Sequence, residues 1–189
     1  MTSTSQSSAP FALFAAFTSS PFGGNPAVVV FLNLTETPLH VLQGLAKNFN
    51  QPMVAFVQPP TAQSFRANGT VRTAIRYITF TGAEVGLCGH ASLCAATAIL
   101  TLPEYQNLSR GSVGLVEFEA LMAKRTVPVR VLEDGYLELG LPVAPPVKPS
   151  EEERGRVEAF VQRAFHTPGG WEVKIKEVLV GSGEFKHGA

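Results

Sequence analysis

Residues 88–102 read CGHASLCAATAILTL. The stretch carries no charged side chain, is dense in Ala and Leu, and shows no polar stripe. A helix that is apolar on every side has to be enclosed by other elements, and this one is too short to span a bilayer comfortably. The reading is a central helix wrapped by strands, in which Ala91, Leu93, Ala95, Ala98 and Ile99 are largely buried.

The flanks supply the strands. Upstream, residues 71–79 follow the turn signal Asn68-Gly69 and predict a strand paired as a hairpin with 64–68. Residues 53–57 predict another, set apart by Pro59-Pro60. Residues 39–49 place apolar side chains at 39, 42, 45, 46 and 49, a helical spacing that Thr37 and Pro38 open. The run AVVVFL at 27–32 predicts a buried strand, and FALFAAF at 11–17 the strand before it. Between them Gly23-Gly24-Asn25-Pro26 forms a tight loop, where glycine allows backbone angles other residues resist. Downstream, 112–120, 126–132 and 136–141 alternate like antiparallel strands, with Glu133-Asp134-Gly135 as a hairpin turn. The fold class is α+β, with a mixed or antiparallel sheet wrapped around a buried central helix. Residues 1–10, rich in Ser and Thr, predict a disordered tail, and 11–141 a first domain. Residues 142–149 carry four prolines and predict a linker. A charged amphipathic helix over 151–165 and a strand over 171–180 follow.

Composition narrows the function classes. The chain has 189 residues, 45% of them hydrophobic and 16% charged, with zero formal net charge. Lys and Arg are scattered, so neither nucleic acid nor a membrane surface is an expected partner. The N-terminus has no basic residue and its apolar run is short, which argues against a secretory signal. On one helix, Cys88 and Cys94 would stand about 9 Å apart, beyond disulfide reach. They read as free thiols of a reducing compartment, and the cytoplasm is the expected location.

Chemistry concentrates where a polar loop meets the apolar helix, at Cys88-Gly89-His90. Helix N-termini offer unpaired N–H groups and partial positive charge, which hold carboxylates. Gly89 lets a ligand approach the main chain. A cysteine placed there has its thiolate stabilised, and a histidine donates or accepts a proton near neutral pH. These are the parts for removing a proton beside a carboxylate or carbonyl. The plainer reading of Cys88 is a small buried hydrophobe. Cys94 reads as core, and His40, His166 and His187 as surface residues. The pattern C-x-H-x3-C lacks zinc-finger spacing and a fourth ligand, so no metal is expected.

Residues 75–98, IRYITFTGAEVGLCGHASLCAATA, resemble the pattern of the PhzF-like isomerases of phenazine biosynthesis, which share the diaminopimelate-epimerase fold. The matching residues are Arg76, Thr79, Glu84, Gly89, His90, Ala91 and Ser92. The loop PFGGNPAVVVF at 21–31 is similar to an early motif of the same family, through Gly24, Asn25 and Pro26. The resemblance implies two similar halves, each a sheet around a central helix, with the active site between them. It implies isomerases or epimerases that move a proton on a small carboxylic acid without a cofactor, commonly as homodimers. It places substrate at Asn25, Gly89, His90, Ala91 and Ser92, and a thiol base at Cys88.

Three departures from the pattern bear on function. In FNQPMVAFV (49–57), Met53 stands where the PhzF-like branch carries its acid–base glutamate, and methionine exchanges no proton. Phe80 replaces a proline and Ile78 an aromatic residue. By the resemblance, 142–189 lead toward a second half whose motifs this sequence does not contain. Two readings remain open. One is a proton-transferring isomerase using Cys88 or His90, with the second half supplied by another chain. The other is a non-catalytic family member that binds a small acid or a partner. The first half is expected to expose apolar surface where a second would dock.

Overall fold

The computed structural model describes residues 8–20, 22–108, 111–141, 145–165 and 175–179. Most of the tail expected at 1–10 lies outside them, as do His166, His187, and parts of the linker and last strand. Within the strand expected at 171–180, residues 175–179 are described and have no regular structure. The chain divides into two compact units, 1–141 and 142–189.

In the first unit, strands β1 (Phe11–Ala16) and β2 (Asn25–Phe31) form an antiparallel pair. The turn between them needs Gly24, whose φ is +72°. A Cβ there would stand 2.1 Å from the Ala16 carbonyl oxygen. Helix α1 (Leu39–Phe49) carries the chain to β3 (Met53–Val57), parallel to β2. Strand β4 (Thr70–Thr79) returns antiparallel to β3, and the short β5 (Glu84–Val85) folds back on its end. Helix α2 (Gly89–Thr101) and the short α3 (Pro103–Gln106) cross over to β6 (Leu115–Ala120), which runs parallel to β4. The antiparallel strands β7 (Arg125–Val131) and β8 (Leu137–Leu139) complete the unit.

The strand order is β1-β2-β3-β4-β6-β7-β8, with β5 alongside β4. Helix α2 packs against β1, β2 and β3 and also against β7 and β8. Both ends of one sheet touch the same helix, so the sheet curls around it. The composition of α2 permits this. Ala91, Ala95 and Ala98 have no exposed surface and Ile99 is 1% exposed, and small side chains let strands approach on all sides. Leu93 is only half-buried, packed at the margin of the core.

The central strands have two covered faces. Along β3, Met53, Ala55 and Val57 join the cluster around α2, while Val54 and Phe56 join a second cluster with Leu42 and Ala46 of α1. This explains why 53–57 is continuously apolar rather than alternating. Burying each such large side chain contributes about 1.5–3 kcal/mol.

The strand expected at 64–68 requires correction. Residues 64–68 form no strand; a 3₁₀ turn at Ala62–Ser64 precedes a single bridge, Phe65 to Val71. The backbone around Phe65 is spent in turns: Ser64 closes the 3₁₀ turn in a capping box with Thr61, and the Gly69 amide closes a second turn onto the Arg66 carbonyl. The strands after α2 pair antiparallel in succession as expected, β6 with β7 and β7 with β8, while β6 also joins the sheet parallel to β4. In the second unit, α4 (Glu151–Ala164) is capped reciprocally by Ser150 and Glu153 and has Glu151, Glu152 and Glu153 in its first turn.

Candidate functional site

One end of the sheet gathers the residues singled out from the sequence. Asn25 begins β2, and Met53 begins the parallel β3, whose pairing with β2 sets in at Val28 and Val54. Thr79 ends β4 opposite Met53. Residues 86–88 then lead from β5 into the start of α2. The register thus collects segments far apart in sequence.

Cys88 is the N-cap of α2 in an extended conformation and is 8% exposed. Its Sγ lies 3.3 Å from His90 Nδ1 and 3.9 Å from Nε2, so Nδ1 is the hydrogen-bonding atom. Burial pushes the Cys88 thiol above its ordinary range, and the amides of Ala91 and His90 pull it down only in part. The sequence led to the opposite expectation, a thiolate favoured by the helix start. Desolvation outweighs the amides here. Burial likewise lowers the imidazole pKa of His90. Both shifts favour a resting pair of neutral thiol and neutral imidazole.

The remaining candidates fall into different settings. Asn25 is exposed and Gly89 half-buried. A Cβ on Gly89 would stand 3.2 Å from Leu139 Cδ2, so β8 closes over the helix start. Ala91 and Ser92 have no exposed surface. The Ser92 hydroxyl is engaged within the chain by Tyr77 and the Cys88 carbonyl, so its hydrogen-bonding groups face inward. Met53 is 8% exposed in the apolar cluster. Burial pushes the Cys94 thiol up to about 11, with neighbouring Cys88 adding to it. Both cysteines are free. Among the described residues, no three His, Cys, Asp or Glu side chains are grouped to share a metal ion.

Arg76 and Glu84, also part of the matched motif, pair at 2.8 and 3.0 Å. Their strand positions alternate with Ile75 and Tyr77, which face α2. They therefore stand on the other face, away from Cys88. Tyr77 escaped the sequence reading. A phenol within an apolar strand needs a buried partner, and that was the available signal.

At the same sheet end, Phe17 and Phe22 of the β1–β2 turn are 71% and 98% exposed. Among the described residues, no helix is long and apolar enough to cross a membrane.

Comparison with known proteins places this geometry. The sequence pattern of the family described as phenazine biosynthesis-like protein, PhzC-PhzF, matches residues 14–180. The mouse phenazine biosynthesis-like domain-containing protein 1 is 34% identical over 139 residues, which is 72% of this chain and 43% of the mouse protein. A PhzF-family phenazine biosynthesis protein from Enterococcus faecalis superposes with a TM-score of 0.55 at 23% identity, over 78% of this chain and 50% of that one. A predicted epimerase from Pseudomonas aeruginosa superposes with a TM-score of 0.60 at 20% identity, over 82% and 50%. The chain therefore spans about half the length of the relatives it matches. With the motif, the wrapped helix and the matched span in agreement, this chain belongs to the PhzC-PhzF family of phenazine biosynthesis-like proteins.

Proposed function

We propose that this chain forms one half of a cofactor-independent isomerase that moves a proton on a small carboxylic acid, with Cys88 and His90 as the acid–base pair. The carrying observation is the 3.3 Å contact between Cys88 Sγ and His90 Nδ1 at the start of α2. His90 accepts the thiol proton at Nδ1. The thiolate, facing the amides of Ala91 and His90, takes a proton from the carbon beside the substrate carboxylate. The imidazolium returns its proton to the carbanion, and both residues end neutral. Asn25 and Gly89 contact substrate in this reading, and Met53 is a degenerate acid–base position. The exposed Phe17 and Phe22 offer apolar surface to a second half, whether from the same protein, a partner chain or a second copy. Two free thiols support a reducing, cytoplasmic setting.

A non-catalytic, acid-binding role is the second reading. The apolar setting of Met53 and the raised thiol pKa of Cys88 favour it. Deuterium exchange at the α-carbon of small carboxylic acids, followed by NMR with a second half supplied, separates the two. Exchange that Cys88→Ser and His90→Asn each abolish, and Cys94→Ser leaves intact, supports catalysis. Exchange absent from the unsubstituted protein, alongside protection of Cys88 by a carboxylate, supports binding alone.

A further inference from the structure

The acid–base pair makes no direct use of Tyr77, yet this is a large side chain buried to 1% exposure beside α2. Its phenol oxygen lies 2.7 Å from Ser92 Oγ. Ser92 Oγ in turn donates to the Cys88 carbonyl at 2.8 Å, and the Ser92 amide donates to the same oxygen at 3.0 Å. A serine hydroxyl has a single hydrogen. With that hydrogen committed to Cys88, the phenol must be the donor to Ser92. The relay therefore runs one way, from Tyr77 through Ser92 to the backbone of residue 88. Burial holds the phenol protonated far into alkaline pH, so the direction does not reverse.

We infer that Tyr77 is a positioning residue for the Cys88–His90 pair, acting through Ser92 on the Cys88 peptide group. Two donors on one carbonyl fix the peptide plane at the helix start. The orientation of that plane decides where Sγ stands relative to the amides of Ala91 and His90 and to His90 Nδ1. Without the phenol, the Ser92 oxygen is left buried without its donor, a state that favours rearrangement. Among the described residues, the ionisable groups that interact with the sulfur are His90, Tyr77 and Cys94. The inference deepens the acid–base reading above and rests on it. Its test reads thiol chemistry rather than turnover, so each can fail alone.

The test is the pH profile of Cys88 alkylation by iodoacetamide in the full chain, read by mass spectrometry of the Cys88 peptide. Tyr77→Phe keeps the ring packing and removes only the donor. Its profile should move to higher pH by about half a unit, equal to roughly threefold slower alkylation at fixed pH. Ser92→Ala removes the same link and should move it likewise, which covers the case of a poorly folded Tyr77 variant. Ser92→Thr keeps the hydroxyl and should stay near the unsubstituted profile. Ile99→Val, a core truncation in the same helix, controls for general loosening and should leave the profile in place. A Tyr77→Phe profile that overlays the unsubstituted one, or an Ile99→Val profile that moves as far, would overturn the inference.

Discussion

Arg76 grips both carboxylate oxygens of Glu84 through one guanidinium nitrogen, at 2.8 and 3.0 Å, on the sheet face turned away from Cys88. The Glu84 side chain is 11% exposed and that of Arg76 27%. The pair anchors the two-residue strand β5 to β4 just before the chain enters α2. Removing one partner leaves a largely buried charge. Arg76→Ala should cost about 1–3 kcal/mol in urea unfolding. A loss below a few tenths of a kcal/mol would show the pair to be solvent-screened.

Two glycines should respond in opposite directions. Gly24 has a φ of +72° and no room for a Cβ. Gly24→Ala should destabilise the chain by about 2–4 kcal/mol. Gly44 lies on the exposed side of α1 with nothing within 4 Å of its ideal Cβ. Gly44→Ala should stabilise by about 0.5–1 kcal/mol, since alanine restricts the unfolded chain and favours helix. Thermal melts of the two variants test the contrast directly.

Gly89→Ala probes the approach to the thiol. The added methyl meets only the flexible end of Leu139, at 3.2 Å. Stability should therefore change by less than about 1 kcal/mol. Alkylation of Cys88 by iodoacetamide should slow, because the methyl and the displaced Leu139 crowd the helix start. Unchanged alkylation would show that reagents reach the sulfur by another route.

Alkaline pH should destabilise the fold through its buried thiols. The folded-state pKa of Cys94 is raised from 9.0 to about 11, and that of Cys88 is also raised. The unfolded chain therefore loses these protons first as pH rises. The stabilising contribution is complete below about pH 9 and declines through about pH 11. For one thiol the slope is at most about 1.4 kcal/mol per pH unit. Urea titrations between these limits should show the decline, and Cys94→Ala should flatten it. An equal slope in Cys94→Ala would assign the effect to other groups.

Short-range pattern made several elements legible from the chain alone. The apolar spacing at 39–49 and the unbroken run at 53–57 match α1 and β3 residue for residue. The charge-free stretch after Cys88 is the enclosed α2. In each case the periodicity or its absence records how many sides of the element are covered. Pairing was legible only between strands adjacent in sequence, as in β6, β7 and β8. Residues 64–68 have strand composition, but turns on either side of Phe65 leave it a single bridge to β4. The parallel seating of β6 beside β4 likewise depends on the whole sheet.

The site divides along the same line. The C-G-H start of α2 and the loop at Asn25 were visible as residue types at suggestive positions, and β-register brings them to one sheet end. The chemistry of Cys88 was not visible. A helix N-terminus lowers a thiol pKa, and only the packing of strands around α2 shows that desolvation opposes it more strongly. The same enclosure brings Ser92 against Tyr77. Local sequence specifies periodicity and caps, whereas edge occupancy and dielectric environment are set by residues distant along the chain.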